Sequence, residues 1–246
     1  MALNLTKTAN KPSASNDDKP KLSFLKKGAA AQATFEAEEK KSEMAMKNTA
    51  RRYWVENGKD ATITFLDGNL VDGAFENPFA FEHFVTVAGK PQNFICLHEE
   101  ESCPICEGGN RYSYVGYFTI IDHREYKDNT GKIQKDKRRL FVAKRTTIKQ
   151  LLKMAQKRGG LAGCRFDVSR TGDKEPSVGN VFDFSEKVSI GQLKAQYGEE
   201  AVPFNYDEVI GAMYLSSKDL RKMGFGQIGI GNESAPAEDE DHSDSL

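Results

Sequence analysis

Long apolar runs, a disulfide framework and nucleotide-binding or hydrolase loops are all missing from this chain of 246 residues. No stretch approaches the roughly 20 apolar residues of a membrane-spanning helix. The N-terminus lacks the apolar core of a secretory signal, so the expected location is the cytoplasm and no membrane partner is expected. The sequence has only four cysteines, and three of them are clustered; they read as metal ligands in a reducing compartment. Neither a Walker loop nor a Gly-x-Ser-x-Gly elbow is present, which removes the P-loop and α/β-hydrolase chemistries. Hydrophobic residues make up only 38% and charged residues 29%, so part of the chain is arm or tail and not core.

The net charge of −1 conceals an asymmetry. Residues 111–170 carry 16 Lys/Arg against 5 Asp/Glu, whereas the remainder carries 19 basic against 31 acidic groups. A basic middle between acidic flanks predicts a polyanion-binding surface and a tail able to compete for it.

The pattern along the chain predicts a flexible N-terminal arm with a short helix over residues 1–48, a core over 49–228 and an acidic tail over 229–246. Lys21 to Lys47 has helical composition with a thin apolar stripe. From residue 50 the texture changes to short alternating runs. Arg52–Val55 and Ala61–Leu66 flank Asn57-Gly58, a hairpin signal. Phe79–Val87, Asn93–Leu97, Tyr112–Asp122, Arg138–Ala143, Arg165–Arg170 and Val181–Phe184 read as strands, with a turn at Asp128-Asn129-Thr130-Gly131. Thr147–Arg158 reads as a helix ended by Gly159-Gly160. Ser189 with Gln192 predicts a capping box, and Asp207–Leu215 a last core element. Glu233 to Leu246 holds six acids and no Lys or Arg, so it cannot bury a core. The fold class is mainly β with a few helices. A five-stranded OB-like barrel carrying a metal-binding insertion around residues 83–106 is the leading architecture, with a sandwich as the alternative.

Cys96, Cys103 and Cys106 fall within eleven residues, the last two in Cys-Pro-Ile-Cys. A CxxC knuckle aims two thiolates at one tetrahedral ion, and a third Cys with one His closes a structural Cys₃His zinc site. His98, two residues from Cys96, would face the same side of a strand. His83 would reach the site through a hairpin. Cys164 reads as a buried small hydrophobe.

This order of residues, His83, Cys96, then Cys103-Pro104-Ile105-Cys106, followed by an aromatic strand and a basic hairpin, resembles tailed-phage single-stranded-DNA-binding proteins of the gene 32 type. The resemblance covers about residues 50–170 and continues in outline to an N-terminal arm and an acidic tail. It implies one structural zinc held by His83, Cys96, Cys103 and Cys106 beside an OB-fold, and a role in replication, recombination and repair within an infected bacterial cell. It also implies cooperative self-association on DNA through the arm, and recruitment of replication and recombination proteins through the tail. One departure stands out: the arm lacks the family's basic Ser/Thr motif, and the similar Lys144-Arg145-Thr146-Thr147 lies in the core.

The residues themselves point the same way. Single strands are bound by aromatic faces that stack bases and by cations that follow phosphates. Candidate contacts are Arg51, Tyr53 and Trp54; Arg111, Tyr112, Tyr114 and Tyr117; Arg124, Lys127, Lys132, Lys135, Lys137, Arg138 and Arg139; and Lys144 and Arg145. The helix around Lys149, Lys153 and Lys157 adds charge. On an alternating strand Tyr112 and Tyr114 face one way and Tyr117 the other, so not all are platforms; Phe118, Ile120 and Phe141 are expected in the core. Of Tyr53 and Trp54, one should face in. No catalytic step is expected. The alternatives are a zinc-ribbon factor that reads duplex DNA and a zinc-dependent nuclease built on Asp122-His123.

Overall fold

A computed structural model describes residues 26–36, 39, 50–127 and 131–226. The chain divides into two units, Met1–Asn48 and Thr49–Leu246. In the first, residues 29–36 are helical, and Thr34 Oγ1 donates back to the Ala30 carbonyl at 2.8 Å. The rest of the expected arm helix, the turn at 128–130 and the acidic tail lie outside the described residues.

The second unit is built on one antiparallel seven-stranded sheet. Its strands are β1 (Asp60–Phe65), β4 (Phe79–Val87), β5 (Lys90–Ile95), β6 (Tyr112–Asp122), β9 (Lys137–Lys144), β10 (Cys164–Ser169) and β11 (Val181–Lys187). Two-residue ladders join β2 (Leu70–Val71) to β3 (Ala74–Phe75) and β7 (Tyr126–Lys127) to β8 (Ile133–Gln134). The order is β11-β10-β1-β6-β4-β5, with β9 also on β6. β6 organises the sheet: its first half pairs with β4, its last residues with β1, and Val115 to Asp122 with β9.

The predicted hairpin between Arg52–Val55 and Ala61–Leu66 does not form. The neighbours of β1 are β10 and β6, so the upstream segment runs instead beside β9. There Tyr53 N donates to the Leu140 carbonyl (2.8 Å), and Leu140 N to that of Arg51 (2.9 Å). The turn signal itself is real, because Gly58 takes φ +69° and Lys59 N closes on Glu56 O. The expected last core element is a short helix, Tyr206–Gly211, with no fully buried residue.

The main core collects Ile63, Phe65, Phe118, Ile120, Phe141 and Phe166 under the helix Arg145–Arg158, whose Leu151 and Ala155 are fully buried. Phe65 packs edge-on against both Phe118 and Phe166. Each such ring contributes roughly 1.5–3 kcal/mol by leaving water. Cys164 is buried in this core, as expected. The capping box forms as read, with Ser189 Oγ accepting from Gln192 N at the head of Ile190–Tyr197.

Gly163 makes the turn between that long helix and β10 possible. Its φ is +83°, and a Cβ there would stand 2.0 Å from the Val188 carbonyl oxygen. Backbone cannot retreat as a side chain can, so Gly163→Ala should destabilise the fold by at least about 2 kcal/mol. Urea unfolding at unchanged m-value is the measurement; a variant as stable as the parent would refute the assignment.

Candidate metal centre and aromatic face

Local sequence assembles the centre from three pieces. β4 carries His83, and the β4–β5 hairpin places Glu82 opposite Ile95. Cys96 follows directly, its N–H bound to the Phe81 carbonyl at 2.8 Å. The knuckle is a one-turn helix, Pro104–Glu107, with proline at its first position, where no N–H is needed. Ile105 anchors that turn in a second small core with Val85, Phe94, Leu97 and Leu220.

The donor atoms of His83, Cys96, Cys103 and Cys106 all lie within 4.8 Å of one another. Cys96 Sγ stands 3.5 Å from Cys106 Sγ, and His83 Nε2 is 3.4 Å from the sulfurs of both Cys103 and Cys106. A tetrahedral ion with bonds of about 2.3 Å to sulfur and 2.0–2.1 Å to nitrogen sets its donors roughly 3.5–3.8 Å apart. The group therefore has the size of a coordination shell, and its sulfurs are free thiols and not disulfides. Among the described residues it is the one such cluster of His, Cys and carboxylate donors.

The surroundings also suit a cation. The other ring nitrogen of His83, Nδ1, faces Asn110 Oδ1 at 3.0 Å and the Arg111 carbonyl at 3.3 Å. Two acceptors there keep the proton on Nδ1 and leave Nε2 as a lone-pair donor, the usual outer-shell arrangement of a metal-bound histidine. Burial lowers the His83 pKa, so its neutral form prevails. Burial and then the neighbouring sulfurs push the Cys106 thiol up, and burial also raises that of Cys96. At Cys103 burial acts in the same direction, but backbone hydrogen bonds from Leu97, Cys106 and Ile105 outweigh it and leave the thiol below its ordinary value. Three crowded sulfurs resist ionising together, and a divalent cation supplies the charge that lets them do so.

His98 is not part of the four-donor group. β5 ends at Ile95, so the strand alternation that would have aligned His98 with Cys96 stops short of it. Its exposed ring lies flat on Tyr112 (centroids 4.4 Å apart, 11° between planes), while its Nδ1 sits 3.1 Å from Cys96 Sγ.

Tyr112 belongs to an aromatic face that adjoins the centre. The register sets His83 beside Tyr112, Phe81 beside Tyr114 and Phe79 beside Gly116. Phe79 stacks on Tyr114 (5.7 Å, 12°), and Phe81 touches Tyr112, Tyr114 and His98. Gly116 makes room, since a Cβ there would fall 2.5 Å from Phe79 Cε1. Tyr112 and Tyr114 remain 45% and 44% exposed. The sequence reading missed Phe79, Phe81 and His98 as members of this face. The signal was the i, i+2 spacing of Phe79, Phe81 and His83 on one predicted strand.

Two of the expected platforms are corrections. Tyr117 is fully buried and donates to Glu82 Oε1 at 2.6 Å. Tyr53 is also buried, stacked on Phe141 at 5.6 Å beneath the Arg124 guanidinium. Neither ring can meet a base. Trp54, its neighbour, is 55% exposed, so the pair splits one in and one out. Arg51, Arg111, Lys127, Lys132, Lys144 and Arg145 are exposed. Arg124 pairs with buried Asp122, Lys135 with Glu125 and Lys137 with Glu200. Arg138 donates to the Val202 carbonyl and covers the Phe204 ring, and Arg139 lies over Tyr126. His123 is held between Thr64 Oγ1 (2.8 Å) and Asp136 (2.6 Å). No helix among the described residues is long and apolar enough to cross a membrane. No protein-family model and no curated protein matches the chain.

Purified protein should bind one divalent ion per chain. Cys103→Ser and His83→Ala should each weaken it at least about tenfold, the lower end of what disturbing even a metal ligand's support costs. His98→Ala should leave stoichiometry intact. Elemental analysis and competition with a chromophoric chelator give the answer; equal loss in both histidine variants would disprove the ligand set.

Proposed function

We propose that this chain is a zinc-containing, OB-like protein of the gene 32 type that coats single-stranded DNA with little sequence preference. The observation that supports this best is the aromatic face: two exposed tyrosines one strand-repeat apart, backed by Phe79 and Phe81, with Arg111 at one end of the strand. Successive bases stack on such faces regardless of identity, because every base offers a π surface. Zinc is the proposed ion because three thiolates and one imidazole form a closed tetrahedral donor set suited to it. When bound, it holds the hairpin and knuckle together; His83 and the three cysteines supply the donors, and Asn110 fixes the imidazole. No chemical step is assigned. Asp122, the carboxylate of the nuclease reading, is occupied by Arg124. The acidic segment 233–246 would recruit replication and recombination proteins, the arm would support self-association, and the protein would act in the cytoplasm of an infected bacterium.

Fluorescence titration with single-stranded oligonucleotides, with duplex of the same sequence as competitor, tests this reading. Single strands should win strongly and without sequence bias. Tyr112→Ala and Tyr114→Ala should each cost about 1–3 kcal/mol, whereas Tyr117→Phe should leave affinity unchanged. Preference for one duplex sequence would establish the zinc-ribbon alternative, and cleavage of labelled strand in divalent ion would establish the nuclease.

A further inference from the structure

The sequence concentrates positive charge in the hairpin Arg124–Arg139, but the structure engages most of that charge. Arg124, Lys135 and Lys137 are in ion pairs, Arg138 is tied to a carbonyl and a ring, and Arg139 covers a ring. The long helix behaves differently. Arg145, Lys149, Lys153 and Lys157 recur every four residues along Arg145–Arg158, and all four are exposed. They stand two positions from Thr147, Leu151 and Ala155, which are buried, so they occupy the face turned directly away from the core. Among the described residues none of the four has an ion-pair partner, and the helix contains no Asp or Glu. Arg158, which leaves the stripe, instead lies over the Phe166 and Phe184 rings.

A stripe of like charges at i, i+4 works against its own helix, and a cation in the first turn opposes the helix dipole. An ordinary solvated face mixes signs; this one does not. Successive charges rise about 6 Å along the axis, and the run from Arg145 to Lys157 covers about 18 Å. That is the scale of successive phosphates in an extended strand. The helix begins where β9 ends at Lys144, opposite Val115 and one residue from Tyr114.

Resting on the proposed function, we infer that the Arg145–Lys149–Lys153–Lys157 stripe is the principal phosphate track for a single strand, and that most of the hairpin cations serve contacts within the fold. The occupant is the phosphodiester backbone, because the stripe presents exposed cations of one sign at a repeat close to that of successive phosphates.

The test compares the full-length parent, a quadruple Arg/Lys→Gln variant of the stripe, and a Lys135→Gln/Lys137→Gln variant of the hairpin. Each is titrated with oligo(dT) over a salt series, and helix content is checked by circular dichroism. Each lost phosphate contact removes about 0.7 from the log–log salt slope, so the stripe variant should lose up to about 2.8 while the hairpin variant stays near the parent. Exposed Lys→Gln changes keep good helix formers, so the stripe variant should fold. A parent that binds oligo(dT) with a slope the stripe variant shares would overturn the track alone. A parent that binds no single strand would overturn the proposed function as well. Stronger retention of poly-L-glutamate than of oligo(dT) by the parent, lost in the stripe variant, would reassign the stripe to an acidic protein segment.

Discussion

β6 is bonded on both edges, and this double pairing is the constraint on which the rest of the structure depends. β9 takes one edge from Val115 to Asp122, while β4 and β1 divide the other. A strand fixed in this way cannot slip by one residue without turning every side chain to the opposite face. Phe118 and Ile120 therefore enter the main core, and Tyr112 and Tyr114, on the same face but beyond the edge of that core, are left open. The β4 register then delivers His83 beside Tyr112. One alternation thus sets the core, the aromatic face and a metal donor together.

On the opposite face of β6, buried polar groups sit beside the apolar cluster of Val115, Tyr117, Leu140 and Phe204. Glu82 is buried, yet it accepts from both terminal guanidinium nitrogens of Arg52 (3.0 and 2.5 Å) and from the Tyr117 hydroxyl. Nearby, Asp67 accepts from the Tyr206 hydroxyl (2.5 Å) and Thr119 N (3.1 Å), and burial raises its pKa. Buried hydrogen bonds of this kind fix one arrangement in preference to others, because breaking one would leave a buried polar group unpaired. Here they hold the C-terminal chain against the sheet. That chain reaches the metal region too, because Arg221 pairs with Glu107 of the knuckle and Leu220 enters its core. The knuckle core is small, and a hairpin of this size is marginal by itself. A four-donor ion is the staple such a unit calls for. Through the contacts of Tyr112 with His83 and His98, such a staple would also steady an exposed ring of the aromatic face.

Sequence made the strands and the donor set legible for the same reason: both are local patterns. Phe79–Val87 and Tyr112–Asp122 carry their period of two in plain view, and CxxC needs only four residues. What failed was non-local. Tyr117 looks like an outward tyrosine until Phe204 and Tyr206, some ninety residues on, cover its side of the sheet. From Val115 onward β6 is buried on both faces, and alternation then says nothing about exposure. The contacts of the hairpin cations were hidden in the same way, because the partners of Lys137 and Arg138 are Glu200 and Val202. Asn57-Gly58 correctly marked a turn, but a turn does not decide which strands pair across it.

Energetics separate the two basic regions further. Three like-charge i, i+4 steps along Arg145–Lys157 cost the helix about 1 kcal/mol in all, and Arg145 in the first turn adds roughly 0.3–1 kcal/mol against the dipole. A single glutamate at Gln150 or Gln156 would ease that repulsion. The helix withstands it because burying Leu151 alone contributes about 1.5–3 kcal/mol, and because its C-terminus is well closed. Gly159 takes the left-handed cap conformation there, and Lys187 Nζ donates to the carbonyl of Arg158 at 2.7 Å and, more distantly, to those of Gly159 and Gly160. Stability therefore comes from the buried face and the cap, and the outer face subtracts from it. A charge pattern that folding opposes, on a surface folding does not use, has its physical reason in whatever that surface meets.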